Sequence, residues 1–179
     1  MSALAGPVFA LAALLGFAGV QKLAWPASTA AALRSAGLPS SALLGRLVGV
    51  TEIVVAALAL AFGNRLTAAL LVVVYGAFTA FSWRLASSGD AASCGCFGQT
   101  EAPTTYLHVA LNAVATAVGA AAVLWPTGGV ADMLADQPWA GVPFVALTAL
   151  AAWLWYLMLE VVPELQAAMA LHRSSAAES

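Results

Sequence analysis

The chain has 179 residues, 63% of them hydrophobic and 8% charged, with a mean hydropathy of +0.94. A soluble domain carries about a quarter charged residues, so water is the wrong solvent here, and spans of about 20 apolar residues nearly exhaust the length. The formal net charge of -2 comes from 6 basic and 8 acidic side chains with no basic block, which excludes nucleic acid as a partner.

The first apolar stretch, about residues 4–22, is long enough to span a bilayer and ends on a charge, an interfacial aromatic and a breaker: Lys22, Trp25 and Pro26. No basic residue precedes it, as the n-region of a signal peptide would require, so it is read as a retained helix. Residues 27–40 alternate small, polar and apolar and close on Gly37-Leu38-Pro39, which predicts a short amphipathic turn or helix along the interface. A second span covers about 41–62, carrying Arg46 near its start and Glu52 near its middle, and Gly63-Asn64 supplies the turn into a third span at about 65–85. The polar stretch 86–103 holds Cys94 and Cys96. A fourth span follows at about 104–125 and is stopped by Pro126 and Gly128-Gly129. A linker with Asp132 and Asp136 leads to a fifth span at about 140–162, and the tail after Pro163 is short and polar. The prediction is an all-α integral membrane protein, a single transmembrane domain of four core helices plus a fifth. Gly45 with Gly49, and Ala115 with Gly119, are small-xxx-small pairs that let helix backbones approach closely in lipid.

Two cysteines two positions apart exclude a disulfide framework and leave redox, metal or coincidence. A thiol pair exchanges disulfides when one thiolate attacks and the other resolves, which needs both sulfurs close and accessible. Residues two apart reach disulfide range only if the backbone bends, and Gly95 between them, with Phe97 and Gly98 following, permits that bend. A ring so small is strained and therefore labile, suited to exchange with a partner rather than to stapling the fold. Two other readings stay open: a soft-metal site such as Cu(I) on Cys94 and Cys96, short of ligands beyond His108, and inert thiols on a structural or assembly subunit. A transporter is disfavoured, since few polar residues interrupt the spans and no pair of broken helices is visible.

Inside the spans, His108 and Asn112 are four apart and share a face with Thr116. His108 is read either as a proton acceptor for a thiol or hydrogen-bond partner for a quinone that reoxidises the pair, or as a histidine capping the bundle. Glu52 lies where an ionised carboxylate is costly, so it is expected to be neutral, paired or facing a wet cavity, with His108 and Asn112 as candidate partners and Arg46 disfavoured by its place on another face of the helix unless the helix bends. Lys22 is expected to snorkel to the interface.

With Cys94-Gly95-Cys96-Phe97-Gly98 placed before the last helix of a four-helix core, the chain resembles the MauE family of methylamine utilisation membrane proteins, related to the DoxX-like family. Gly19-Val20-Gln21-Lys22-Leu23, Gly37-Leu38-Pro39 and Gly49-Val50-Thr51-Glu52 look like the G-x-x-K-L, G-L-P and G-x-x-E elements of those families, and the similarity covers about residues 4–126. The resemblance implies a membrane redox helper that supports disulfide formation or electron transfer for an extracytoplasmic, often thioredoxin-like, partner. Where family members show an Arg-Asn pair after the cysteine loop, this chain has Leu111-Asn112. Charge and resemblance disagree on orientation. Lys22, Arg34, Arg46, Arg84 and Arg173 fall on the cysteine side against Arg65 alone on the other, which by the positive-inside rule is cytoplasmic. Dithiol work on secreted partners needs an oxidising compartment, and the extracytoplasmic face of a cell membrane is the expectation adopted here.

Overall fold

The computed structural model describes residues 3–88, 93, 95, 103–136 and 138–177. Over these residues the chain is all-α: α1 (Ala5–Ala24), α2 (Pro26–Ser35), α3 (Ala42–Phe62), α4 (Arg65–Ser88), α5 (Tyr106–Leu124), α6 (Val130–Asp136) and α7 (Pro138–Ala177). Five of them, namely α1, α3, α4, α5 and the part Pro143–Gln166 of α7, are long and apolar enough to cross a membrane. Helices satisfy their own backbone groups, which an apolar solvent demands.

Local chemistry sets the boundaries. Pro26 opens α2 at a position where its missing N–H costs nothing. Ser41 caps α3 by accepting from the Leu44 amide at 3.1 Å. At the other end of α3, Gly63 adopts a left-handed φ of 50°, and a Cβ there would overlap the carbonyl of Gly128. Asn64 then caps α4 through the Thr67 amide at 3.0 Å, and the Gly63 carbonyl accepts from the amides of Thr127 and Gly128. The α3–α4 turn and the loop after α5 are thereby tied together at the end of the bundle away from the cysteines.

Two parts of the sequence reading are corrected. The linker with Asp132 contains the short helix α6, whose entry Asp132 caps by accepting from the Gly129 amide at 3.0 Å. The chain after Pro163 is not a polar tail at its outset: α7 runs through both Pro143 and Pro163 to Ala177. Proline removes one hydrogen bond from a helix but does not end it where another group satisfies the freed carbonyl.

α1 runs through the middle, with 56% of its apolar span buried, whereas only 11% of the α7 span is buried and that helix lies on the outside. Phe9 against Phe144 and Phe17 against Tyr156 seat α7 on α1 through edge-to-face rings. The closest approach in the core is α1 on α3. A Cβ on Gly49 would stand 2.8 Å from the Gly19 carbonyl oxygen, one on Gly19 would stand 2.6 Å from the Gly49 oxygen, and one on Gly45 would meet the Pro26 oxygen at 2.7 Å. Gly119 plays the same part between α5 and α4, against Val72. The small-residue pairs read from the sequence are the helix crossings.

Gly49→Ala is therefore expected to lower stability by about 2 kcal/mol, since backbone must move to admit the methyl group. Gly76→Ala, where a Cβ would find only Thr116 Cγ2 at 3.9 Å, is expected to change little. Unfolding midpoints of the two variants in the same detergent compare them directly, and equal midpoints would refute the crossing as the tight point.

Candidate functional site

The polar residues that interrupt the spans converge on the inner half of the bundle nearest the cysteine side. Lys22 lies three residues after Gly19 on α1, and Glu52 lies three after Gly49 on α3, so each shares a face with its glycine. At the crossing, Gly49 leaves room for the Cβ of Lys22 and Gly19 leaves room for that of Glu52, each 3.1 Å from where a glycine Cβ would stand. The two side chains meet across that gap. Lys22 Nζ stands 2.9 Å from Glu52 Oε1 and donates to Oε2 at 3.0 Å, with the side chains 3% and 2% exposed.

Both expectations for these residues change. Lys22 does not snorkel, and the partner of Glu52 is Lys22 rather than His108, Asn112 or the exposed Arg46. The reason is the crossing: at a glycine contact the backbones are close enough for a lysine to reach a carboxylate on the neighbouring helix without leaving the core. The ammonium also lies over the Phe78 ring at 5.3 Å, within cation–π range.

His108 and Asn112 are buried on one face of α5, as the spacing predicts. Asn112 Nδ2 donates to the His108 carbonyl at 2.8 Å and reaches Ser82 Oγ of α4 at 3.5 Å. One turn on, Thr116 and Thr79 hydroxyls lie 3.4 Å apart, continuing a polar seam between α5 and α4. His108 closes the capping box of its own helix: its Nδ1 accepts from the Thr105 amide at 3.1 Å. That assignment makes Nε2 the protonated nitrogen. The imidazole also hydrogen-bonds the backbone of Leu159 on α7. Leu159 is the residue whose carbonyl loses its helical donor, because Pro163, four positions later, has no N–H. The histidine thus takes up the carbonyl that the proline leaves open, a structural task for both of its nitrogens.

A cavity of about 20 Å³ lies between these groups, lined by Lys22, Tyr75, Phe78, His108, Asn112 and Leu159 among others, and a volume of that order holds one water molecule. Tyr75, which the sequence reading passed over, is buried on α4 and donates to the Leu11 carbonyl of α1 at 2.8 Å. Glu160 was also passed over. It is buried in the fifth span, and the signal that marked Glu52, a carboxylate within an apolar run, applies to it equally.

Of the cysteine loop, Cys94, Cys96, Phe97 and Gly98 lie outside the described residues, while Gly95 lies within them. Gly95 is buried at a left-handed φ of 61°, and a Cβ on it would stand 2.8 Å from the Ser28 carbonyl oxygen of α2. Its own carbonyl accepts from Thr29 Oγ1 at 3.3 Å. The middle of the Cys-Gly-Cys run is thus seated against α2, with the backbone bent between the two cysteines in a conformation that side chains other than glycine rarely adopt.

Compared with known proteins, residues 2–126 match the family model described as methylamine utilisation protein MauE. No curated protein and no solved structure gives a match. The matched region stops before α7, so Leu159 and Pro163 are contributed by a segment beyond it.

Two unfolding series follow from this geometry. Lys22→Met alone and Glu52→Gln alone are each expected to cost about 3–5 kcal/mol, because each strands a buried partner, while the double variant costs less than the sum; additive costs would show that the pair is not coupled. His108→Ala is expected to cost about 1–3 kcal/mol in the native background and about 1 kcal/mol less in Pro163→Ala, where a backbone N–H again serves Leu159 and only the capping box with Thr105 is lost. An equal cost in both backgrounds would remove the capping role.

Proposed function

Since the chain belongs to the MauE family of methylamine utilisation membrane proteins, we propose that it is a membrane-embedded redox accessory whose Cys94 and Cys96 exchange disulfides with a partner protein. The accessory role in methylamine utilisation comes with membership. The thiol chemistry is argued from the chain itself. A partner thiolate attacks one sulfur of a Cys94–Cys96 disulfide, the other cysteine leaves as a thiolate, and the partner's second thiolate resolves the mixed disulfide, so that two electrons pass from the partner to this pair and the partner is oxidised. The observation that carries this reading is the placement of Gly95, bent to positive φ and held by Ser28 and Thr29 of α2. A left-handed residue between two cysteines draws their Cα atoms toward the range of about 4.4–6.8 Å that a disulfide spans. The seating of Gly95 on a helix supports a defined presentation of the pair.

Partner and compartment follow from the same reading. A dithiol that serves a secreted thioredoxin-like protein belongs on the extracytoplasmic face. The burial of Lys22 against Glu52 takes one basic residue out of the flanking charges and leaves Arg34, Arg46, Arg84 and Arg173 against Arg65, so the placement rests on the thiol chemistry alone. His108 serves the pair indirectly, by fixing the start of the helix that follows the loop.

Labelling of intact cells with a membrane-impermeant maleimide is expected to modify the protein only after reduction, and Cys94→Ser or Cys96→Ser is expected to abolish partner oxidation without unfolding the bundle. Labelling that requires permeabilisation and no reductant, or full activity of both serine variants, would refute the proposal.

A further inference from the structure

On the cysteine side of the bundle a cleft of about 700 Å³ opens among α2, α3 and α4. Its long walls are apolar: Leu33 of α2, Val48 of α3, and Phe78 and Phe81 of α4. Ala77 and Ala80 are exposed along its edge, and side chains so short leave it open sideways, toward the acyl chains of a bilayer. From Ala77 to Ser87 the lining rises about 15 Å along α4, which is one leaflet of a hydrocarbon core of about 30 Å. At the inner end Lys22 contributes its stem, while its ammonium is held by Glu52 at 2.9 Å.

The water end is chemically different. Trp83 and Arg84 stand there in the last turns of the span, both exposed, at the depth where headgroups begin. Ala36 packs with Leu85 and Phe81, bridging the end of α2 to α4. Arg84 lies across that bridge, with Nη2 3.3 Å from where a Cβ on Gly37 would stand. Among the described residues no carboxylate pairs with this guanidinium, and no acidic side chain lines the cleft. A second exposed cation, Arg34, follows Leu33 on α2.

We propose that this cleft holds one acyl chain of an anionic phospholipid whose headgroup phosphate is bound by Arg84, an inference independent of the thiol chemistry. A guanidinium donates from a planar fork that matches two phosphate oxygens, and an apolar wall one leaflet deep beneath it accommodates the chain attached to that phosphate. Charge selects the headgroup. A choline or ethanolamine ammonium would stand beside Arg84 with no carboxylate to offset it, whereas an anionic headgroup meets Arg84 and, next to Leu33, Arg34. A neutral quinone or an uncharged chain would use the apolar walls but leave the guanidinium without an anion.

The experiment uses the full-length protein in phosphatidylcholine nanodiscs, with phosphatidylglycerol carrying a diazirine on one acyl chain as the probe. In the native protein the photolabel is expected on Val48, Phe78 or Phe81, a readout that does not depend on any variant folding. Unlabelled phosphatidylglycerol is expected to displace the probe at roughly tenfold lower mole fraction than phosphatidylethanolamine does. Arg84→Gln is expected to bring the two lipids within about threefold of each other, while Arg65→Gln, at the other end of α4, keeps the preference. Ala77→Trp, filling the cleft from its open edge, is expected to remove most of the labelling. Label confined to helices other than α2, α3 and α4, equal displacement by the two phospholipids, or a preference unchanged in Arg84→Gln would overturn the proposal. So would displacement by oleate or decyl-ubiquinone as effective as that by phosphatidylglycerol.

Discussion

Everything on the cysteine side of this bundle is organised around an ion pair at a helix crossing. An ammonium and a carboxylate within a membrane are each costly alone, and they are tolerated here because they meet at 2.9 Å inside a contact between two glycines. The glycines and the charges are one device. Without side chains at positions 19 and 49 the backbones of α1 and α3 come together, and only at that separation do Lys22 and Glu52 reach each other. Lys22 also lines the small polar cavity that Tyr75, His108 and Asn112 share. A buried pair of this kind fixes which residues face each other more than it adds stability.

A second coupling runs outward to α7. Pro163 opens a carbonyl that would be expensive to leave unpaired in lipid, and His108 of α5 is positioned to take it. The helix beyond the family-matched region is thus joined to the matched core through a hydrogen bond as well as by Phe9–Phe144 and Phe17–Tyr156 packing. Because the same histidine closes the capping box with Thr105, the start of α5 and the position of α7 depend on one ring. The cysteine loop leads directly into Thr105, so its landing point is set by the same contacts.

Between α4 and α5, α2 supplies the seat for Gly95. This short helix has too little apolar surface to span, yet Thr29, Ala30 and Ala32 are buried, and its carbonyl at Ser28 and hydroxyl at Thr29 meet Gly95. An interfacial helix thereby holds Gly95 in place.

The sequence by itself determined the solvent, the all-helical class and the five spans, because apolar length and charge scarcity are local properties that no packing arrangement can reverse. It also marked the glycine crossings, the shared face of His108 and Asn112, and the bend at Gly95, each of which depends on neighbours within a few residues. Only the tertiary structure decided which charges pair. Lys22 and Glu52 are 30 residues apart, and at the end of a span a lysine has the same local signature whether it snorkels or turns inward. Likewise Pro163 carries the local signal of a helix stop, yet α7 continues past it, and the contact of His108 with the Leu159 backbone joins two helices far apart in the chain. Such pairings arise from the close approach of whole helices, and one-dimensional spacing contains no record of the distance between them.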